Sequence, residues 1–396
     1  MIDTLYSTES IHTADAPAWL TRGRVPGLDA LRAGSIILVL AAHSIRAAYF
    51  EPRWLHSGPL GFAGVDVFFV ISGFLITLLL CREKSRTGDI SLKGFYYRRA
   101  LRILPAYFVF LAALFVAMRI GWEHVAREDW IAALTYTMNW RSDPAWAIGH
   151  IWSLSAEEQF YFLWPPLMML LSHKSARRLL LACIVAGPFY RVAMRVLVAK
   201  IPLLHPHDAL YSTSFPARLE PIAAGCLLAL LAIHPGSRRF LNRWCTARAA
   251  AIALAILAGC VAVSSYARIV GLVFRPTVSA CAIPIILWFC ANARGTLARI
   301  LAWRPAVALG VLSYSIYLWQ QPFLSQEHPG FRLFRFPIGI GFALGAGILS
   351  YLIVERPFLK LKDRQAGRTS PAPAVLTAAF RTDVHPANAG ELLTAS

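Results

Sequence analysis

The sequence predicts an all-α membrane protein that crosses the bilayer about ten times and has both termini in the cytoplasm. Of its 396 residues, 57% are hydrophobic and only 15% are charged, and the mean hydropathy is +0.54. A soluble domain carries about 25% charged residues. So few charges cannot cover a surface exposed to water, which excludes soluble enzymes, disordered regulators and disulfide-rich modules. The net charge of +18 would otherwise suggest nucleic acid. In a membrane protein, basic residues first mark cytoplasmic loops, and no nucleic-acid partner is expected.

Apolar runs between charged breaks set the number of spans. A helix needs about 20 apolar residues to cross the hydrocarbon core. Ten runs approach this length, at 28–49, 60–80, 103–120, 150–171, 179–198, 216–233, 249–266, 274–291, 306–324 and 336–355. Several contain Pro or Gly, which membrane helices tolerate.

The basic residues predict the orientation. With the N-terminus inside and ten alternating spans, 25 of the 39 Lys and Arg residues fall on the cytoplasmic side, 13 fall on the other side, and Arg32 lies within the first span. This bias follows the positive-inside rule. We therefore expect a cytoplasmic tail at 1–25, a membrane domain at 26–362 and a disordered cytoplasmic tail at 363–396. Because 1–25 is polar, no cleavable signal peptide is expected, and the protein is predicted to lie in the cell (plasma or inner) membrane.

Cysteine and histidine spacing gives no sign of a metal site or a disulfide framework. The seven cysteines are odd in number, lack a CxxC pattern and lie mostly in apolar runs, as small buried side chains do. The 11 histidines never show HxxxH spacing inside a span, so no metal is expected.

Two ionisable residues in the first span are candidates for function. An ionisable side chain at the centre of a membrane helix costs at least ~2.5–3.5 kcal/mol, so such residues usually face a cavity. Arg32 and His43 are eleven residues apart, which is roughly 16 Å and three turns along one face of a helix. We interpret Arg32 as a cation near the cytoplasmic mouth and His43 as a catalytic imidazole deeper inside. Alternatively, Arg32 reaches the interface and His43 is a packing residue.

Counting residues from the outer ends of the spans predicts partners for His43. Asp66 in the second span and Glu157 and Glu158 in the fourth fall at a similar depth in the outer half of the membrane. A carboxylate hydrogen-bonded to an imidazole fixes its tautomer and leaves the other nitrogen free to remove a hydroxyl proton. We therefore group these three acids with His43 as catalytic candidates, without choosing among them. A structural ion-pair network is the alternative.

A basic segment precedes the third span. Arg99 and Arg102 are three residues apart and share a helix face at the cytoplasmic entrance. Guanidinium groups bind phosphate in bidentate fashion, and together with Arg32 these two predict a phosphate-bearing cytosolic ligand. Positive-inside topology alone would also explain a basic loop.

The same residues belong to six motifs that occur in one order along the chain. They are Leu28-Asp-x-Leu-Arg32 followed by ten residues and His43, Phe68-Phe-Val-Ile-Ser-Gly-Phe-Leu-Ile76, Tyr97-Arg-Arg-x-Leu-Arg-Ile-Leu-Pro-Ala-Tyr107, Trp152-Ser-Leu-Ser-x-Glu-Glu-Gln-Phe-Tyr161, Ser313-Tyr-Ser-Ile-Tyr-Leu-Trp-Gln-Gln-Pro322 and Glu355-Arg-Pro-Phe358. In these motifs the chain resembles the acyltransferase-3 family of integral-membrane O-acyltransferases over about 25–360. The family is expected to have ten spans and cytoplasmic termini.

The resemblance implies transfer of an acyl group, expected to be acetyl, from acyl-CoA to a hydroxyl of a carbohydrate, a cell-surface glycan or a glycosylated small molecule. It assigns the catalytic role to His43 and handling of the CoA donor to Arg32, Arg99 and Arg102. Acyl-CoA is then a donor substrate, and no permanently bound cofactor is implied. The chain departs from the family at Ala30, where Gly is usual, and at Gln320, where His is frequent. The ninth span therefore supplies no second histidine base.

Glu355 has two interpretations. By analogy with the family, it is a candidate partner of the catalytic histidine. The predicted topology instead puts Glu355 at the cytoplasmic end of the last span, more than ~10 Å in depth from His43. We therefore expect it to pair with the arginines of the mouth and group it with the donor-binding residues.

Other functions remain open at this point. A transporter or flippase for a glycan or lipid-linked substrate also carries buried charges and broken helices, and a non-catalytic sensor or channel subunit is a further alternative. Within the enzymatic reading, the acceptor could also be a lipid or a peptide. The sequence does not choose among acceptors, acyl chain lengths, oligomeric states, or direct transfer and an acyl-enzyme. No extracytoplasmic esterase-like domain is expected.

Overall fold

The computed structural model describes residues 17–21, 24–47, 57–325 and 337–365, and all regular elements within these ranges are helical. The α-helices are α1 (Ala18–Thr21), α2 (Leu28–Ala47), α3 (Gly58–Thr87), α4 (Leu92–Arg119), α5 (Arg127–Leu134), α6 (Trp146–Gly149), α7 (Trp152–Leu170), α8 (His173–Lys200), α9 (Ala209–Ser212), α10 (Phe215–Ile233), α11 (Pro235–Trp244), α12 (Ala247–Tyr266), α13 (Arg268–Val273), α14 (Arg275–Ala291), α15 (Gly295–Leu301), α16 (Arg304–Phe323), α17 (Ile338–Ser350) and α18 (Arg356–Gln365). Short 3₁₀ turns lie at Met138–Trp140 and Pro202–Leu204, and a π-helix at Tyr351–Glu355 joins α17 to α18.

Long apolar helices dominate the part of the chain that the structure describes. Seven segments there are long and apolar enough to cross a membrane, or eight if α14 and α15, which meet at a bend of 106°, form one broken span. The seven are Leu28–Arg46, Gly58–Thr87, Leu92–Arg119, His173–Lys200, Ala209–Ile233, Ala247–Tyr266 and Ile338–Lys362. The predicted fourth and ninth spans form α7 and α16, whose polar residues lower their hydropathy. Ten spans and cytoplasmic termini therefore stay predictions.

The predicted tails lie largely outside the described residues. On the N-terminal side, α1 packs onto the membrane domain. Trp19 contacts Phe74 and Trp288 with ring centroids 6.1 and 5.8 Å apart. Arg82 at the end of α3 donates a hydrogen bond of 2.9 Å to the carbonyl of Leu20. This short stretch of the predicted tail is thus part of the folded domain. On the C-terminal side, the description ends with α18.

α3 lies at the centre of the helix bundle and packs against α2, α7, α10 and α14. Its closest neighbour is α10. A Cβ atom on Gly73 would collide with the backbone of Ile222, and one on Gly225 would collide with the backbone of Val70. Small residues at such positions allow two helix backbones to approach closely. α16 packs against α2 on one side and α17 on the other, which sets the position of the candidate site described below.

The outer surfaces of α8 and α12 carry large exposed apolar side chains. Val185 and Phe189 lie one turn apart on α8, and Ile252 and Ile256 lie one turn apart on α12. Contiguous apolar surface of this kind is typical of helices that face lipid. The described part of the chain is therefore a multi-pass membrane domain with its polar residues turned inward.

The close approach of α3 and α10 can be tested with an added methyl group. We expect Gly73→Ala to lower the free energy of unfolding by about 1–3 kcal/mol, because the new Cβ must push the two backbones apart. Gly259→Ala on α12 is the matched control, since a Cβ there meets no atom within 4 Å. Thermal unfolding of the detergent-solubilised variants measures the difference. Equal melting temperatures for the two variants would contradict this packing.

Candidate active site

α2 carries both ionisable residues singled out in the first span. Arg32 lies in its second turn and His43 lies one turn before its end, and both side chains are partly buried. The eleven-residue separation corresponds to roughly 16 Å along the helix axis. The two side chains therefore belong to two different groups of polar residues, one near each end of α2.

His43 is hydrogen-bonded to an amide. Its Nδ1 lies 2.6 Å from Oε1 of Gln320 on α16. An amide oxygen only accepts, so Nδ1–H donates and the imidazole is in the tautomer whose Nε2 carries a lone pair. Within the described ranges, no residue is hydrogen-bonded to Nε2. The edge of the Trp146 ring, 5.3 Å away between centroids, packs against the imidazole. Contacts on one side and a free nitrogen on the other are what a positioned base requires.

The expectation that a carboxylate orients His43 is wrong in this structure, because each of the three predicted acids has other partners. Glu157 accepts a hydrogen bond of 2.8 Å from Ser72, and Glu158 accepts from Arg99 at 3.1 Å. Asp66 accepts from Arg275 and, at 2.9 Å, from Ser279. The amide of Gln320 takes the position predicted for a carboxylate.

The start of α7 explains the difference. The predicted fourth span begins at residue 150, at the membrane surface. Instead, His150 already contacts Gln321, the neighbour of the residue that holds His43. Glu157 and Glu158 follow His150 by about two helical turns, roughly 10 Å along the axis, and lie nearer the other end of α2.

There, three arginines lie close together. Arg99 forms an ion pair with Glu158, and its guanidinium stacks 3.1 Å from the centroid of the Tyr161 ring. Arg32 lies within electrostatic reach of Arg102, Tyr161 and Glu157. We call Arg32, Arg99 and Arg102 the arginine cluster. The structure thus brings together the three residues predicted to bind a phosphate-bearing ligand.

Glu355 ends the π-helix that joins α17 to α18 and is buried there. It accepts a hydrogen bond from Ser315 on α16 and lies within electrostatic reach of Arg102. Ser315 precedes Gln320 by five residues, about 7.5 Å along α16. Glu355 therefore lies towards the arginine cluster, and its hydrogen-bond partner is a serine and not one of the arginines with which the sequence predicted it would pair.

A second histidine at the site was not singled out from the sequence. The Nε2 of His150 lies 3.0 Å from the carbonyl oxygen of Leu318, and its Nδ1 lies 2.8 Å from Oε1 of Gln321. Both ring nitrogens of His150 are engaged, whereas His43 keeps one free. Gln320 and Gln321, adjacent in the chain, thus hold His43 on α2 and His150 in the turn between α6 and α7. The paired glutamines of the ninth-span motif were the available signal.

A tyrosine connects the two groups of polar residues. The hydroxyl of Tyr317 donates to the carbonyl of His150 at 2.7 Å and accepts from Ser153 at 2.6 Å. Tyr317 is also within electrostatic reach of Glu157. Polar side chains therefore extend through the domain from the arginine cluster to His43, and α2, α7 and α16 each contribute at both ends.

Metal-ligating groups do not assemble in the described part of the chain. No group of three or more His, Cys, Asp or Glu side chains there could hold a metal ion. The polar groups that surround His43 are amide, imidazole, hydroxyl and indole.

The chain belongs to the acyltransferase-3 family. The family's sequence profile, described as an acyltransferase domain, matches residues 25–355. The Bacillus subtilis protein YrhL, provisionally named a peptidoglycan O-acetyltransferase, is 30% identical over 339 residues, which are 77% of this chain and 49% of YrhL.

Two further relatives have similar names. The peptidoglycan O-acetyltransferase OatA of Listeria monocytogenes is 27% identical over 86% of this chain and 56% of its own length. The O-acetyltransferase OatA of Staphylococcus aureus is 27% identical over 85% of this chain and 57% of its own. The chain thus spans about half the length of the curated relatives it matches. No solved structure gives a significant match. Together with the multi-pass fold, these relationships make the protein a membrane-spanning member of the acyltransferase-3 family.

Proposed function

We propose that this acyltransferase moves an acetyl group from acetyl-CoA to a hydroxyl of a cell-surface glycan, with peptidoglycan as the first candidate acceptor. The observation that carries the proposal is the hydrogen bond between His43 and Gln320, which leaves Nε2 of a partly buried imidazole free. The names of the relatives support O-acetylation of a carbohydrate. We further propose that the protein lies in the plasma (inner) membrane with ten spans and both termini in the cytoplasm.

The arginine cluster is the proposed donor site. Arg32, Arg99 and Arg102 would bind the phosphates of the CoA moiety, since paired guanidinium groups suit phosphate oxygens. The donor's pantetheine arm would then follow α2 towards His43, about 16 Å away. Glu157 and Glu158 would hold the guanidinium groups apart and in position. Glu355 would act at the same end, next to Arg102.

His43 is the proposed base. Its Nε2 would take the proton of the acceptor hydroxyl while that oxygen attacks the thioester carbonyl, forming a C–O bond. The C–S bond then breaks, and the thiolate leaves with the proton carried by the imidazole. Alternatively, Nε2 attacks first and carries the acetyl group as an acyl-imidazole before the hydroxyl displaces it. Both routes use the same nitrogen.

Gln320 would contribute two groups to this step. Its Oε1 holds Nδ1–H of His43, while its Nε2 is buried and has no hydrogen-bond partner among the described residues. That N–H group could donate to the carbonyl oxygen as negative charge develops on it. At the position where the family frequently has a histidine, Gln320 would therefore hold His43 in place and supply a hydrogen-bond donor.

Replacing His43 tests the proposed function. We expect His43→Ala to reduce O-acetylation of peptidoglycan at least ~100-fold, because the transfer loses its proton acceptor. His205→Ala, in an exposed turn, is the control and should keep wild-type activity. Release of base-labile acetate from peptidoglycan, in cells with equal membrane levels of each variant, measures the result. Wild-type acetylation by His43→Ala would refute the role of His43.

Gln320 should affect turnover more than substrate binding. Loss of its amide leaves Nδ1–H of His43 unpaired, which costs about 1–3 kcal/mol and corresponds to roughly 5- to 150-fold in rate. We expect Gln320→Leu to lower kcat by this factor with little change in KM for the acceptor. Gln320→Glu keeps an acceptor for Nδ1–H and should retain more activity than Gln320→Leu. Equal kcat values for Gln320→Leu and wild type would exclude the positioning role.

The donor site predicts a difference between two basic residues at the same end of the protein. Arg102→Gln should weaken acetyl-CoA binding by about tenfold, since it removes one charge-assisted contact to phosphate. Lys93→Gln removes the same charge from an exposed position and should leave the affinity unchanged. Isothermal titration of the purified protein measures both affinities.

The side from which the donor enters can be tested in membrane vesicles. Acetyl-CoA added outside inside-out vesicles should support acetylation, whereas acetyl-CoA added outside right-side-out vesicles should not. The opposite pattern would contradict cytoplasmic donor entry.

A further inference from the structure

A second set of charged residues lies deep in the domain, apart from the arginine cluster. Arg191, Arg218 and Arg275 surround Asp66 and Glu220, and every one of these five residues is at most 3% exposed. We call them the buried ion cluster. It contains one more cation than anion among the described residues. A lone charge inside a membrane domain is costly, so a surplus cation of this kind requires a physical explanation.

Two of the three arginines are paired. Arg275 donates to Asp66, and Arg191 donates to Glu220. Hydroxyl groups complete these pairs: Thr277 donates to Glu220 at 2.7 Å, and Ser279 donates to Asp66 at 2.9 Å.

Arg218 has the weakest pairing of the three arginines, because Asp66, with which it forms a long ion pair, already accepts a hydrogen bond from Arg275. Its Nε donates to the carbonyl of Ser212 at 2.5 Å, but its Nη1 lies 3.8 Å from Oδ1 of Asp66. Nη1 of Arg218 and Oδ1 of Asp66 are both buried and lack a hydrogen-bond partner among the described residues. A buried guanidinium N–H without an acceptor is costly, and a ligand oxygen could satisfy it.

The surroundings of Arg218 add further positive potential. The Phe62 ring lies in the second turn of α3. Its centroid lies 5.6 Å from that of Trp152, the first residue of α7. The guanidinium groups of Arg218, near the start of α10, and Arg275, at the start of α14, lie 4.4 and 5.0 Å from the same Phe62 centroid. Side chains from the first two turns of four helices thus meet here. The first turn of none of these helices contains an acidic residue, and none has a side-chain cap hydrogen bond, although α3, α10 and α14 each begin with a proline that lacks an N–H group. Helix N-termini attract anions.

This region lies at the same end of α2 as His43. Gly61, next to Phe62, faces Ala42, next to His43: a Cβ on Gly61 would lie 3.2 Å from that of Ala42. On α7, Trp152 follows His150 by two residues, and His150 shares the glutamine pair with His43. The arginine cluster, proposed for the donor, lies at the other end of α2. An anion at Arg218 would therefore approach from the side of the acceptor.

We propose that side chains near the N-terminal ends of α3, α7, α10 and α14 form a subsite for a carboxylate of the glycan acceptor, with Arg218 as its direct contact. The inference rests on the proposed function, in which a glycan is the acceptor. A surplus of one positive charge matches a singly charged carboxylate better than a doubly charged phosphate. The guanidinium of Arg218 packs 4.4 and 5.4 Å from the ring centroids of Phe62 and Trp152, which hold it in place, and its N–H groups suit carboxylate oxygens.

Binding of a peptidoglycan fragment tests the subsite without turnover. The probe is a soluble disaccharide-peptide with free carboxylates, and its matched control is the same fragment with those carboxylates converted to amides. For wild-type protein in nanodiscs of neutral lipid, we expect the free fragment to bind about tenfold more tightly than the amidated one. Arg218→Gln should remove this preference and leave the affinity for the amidated fragment unchanged. Arg218→Lys should restore part of it. Arg195→Gln, which removes an exposed arginine from α8, should keep the full preference.

Stability measurements separate this role from a structural one. Arg218→Gln removes the most weakly paired cation, so its melting temperature should equal or exceed that of the wild type. Arg275→Gln leaves Asp66 without its partner and should lower the melting temperature. A large loss of stability in Arg218→Gln would make Arg218 a structural residue and overturn the proposal.

Three other results would also overturn the proposal. The first is equal affinity of the wild type for the two fragments, and the second is equal weakening of both affinities by Arg218→Gln. The third is stabilisation by anionic phosphatidylglycerol nanodiscs that depends on Arg218, because it would assign the site to a lipid headgroup.

Failure of the subsite is distinguishable from failure of the proposed function. An active enzyme that binds and acetylates both fragments equally refutes the subsite alone. Discrimination between the fragments by a protein that never acetylates either supports the subsite and refutes the transferase assignment.

Discussion

A polar side chain inside a membrane domain must be surrounded by protein groups or water. In the candidate site, α2, α7 and α16 surround the polar side chains. His43 is held by Gln320, His150 by Gln321 and Leu318, and Glu355 by Ser315. Because these contacts all involve α16, the position of that helix against α2 decides whether the imidazole has a free nitrogen. The central helix α3 in turn fixes α2 through the hydrogen bond of 2.6 Å from Ser35 to the carbonyl of Gly64.

Much of the architecture could be predicted from one-dimensional patterns. Apolar runs gave helices close to their observed positions, and the eleven-residue spacing put Arg32 and His43 on one helix. The motif around Arg99 and Arg102 predicted a group of arginines, which the structure contains. These inferences succeed because helix formation and the cost of charge in lipid depend on local sequence.

The partners of the site residues could not be obtained in this way. Depth along a span is a single coordinate, whereas a hydrogen bond also depends on the rotation of each helix and on where the helix starts. Asp66 pairs with Arg275 on α14 and not with His43. Gln320 was interpreted as the loss of a base, although its amide is the group that binds His43. Arg191, Arg218 and Arg275 were not singled out from the sequence, yet they are buried.

The π-helix at Tyr351–Glu355 has a consequence for how this part of the chain can vary. A π-turn holds one residue more than an α-turn, and each residue of a helix turns the chain by about 100°. Loss of a single residue here would restore a regular α-helix, in which one residue fewer completes the same turn. The segments on either side would therefore keep nearly the same rotation about the helix axis, and the change would stay within the turn that presents Glu355 to Ser315. A one-residue difference in length at this point thus alters the direction of a few side chains and leaves the path of α18 almost unchanged.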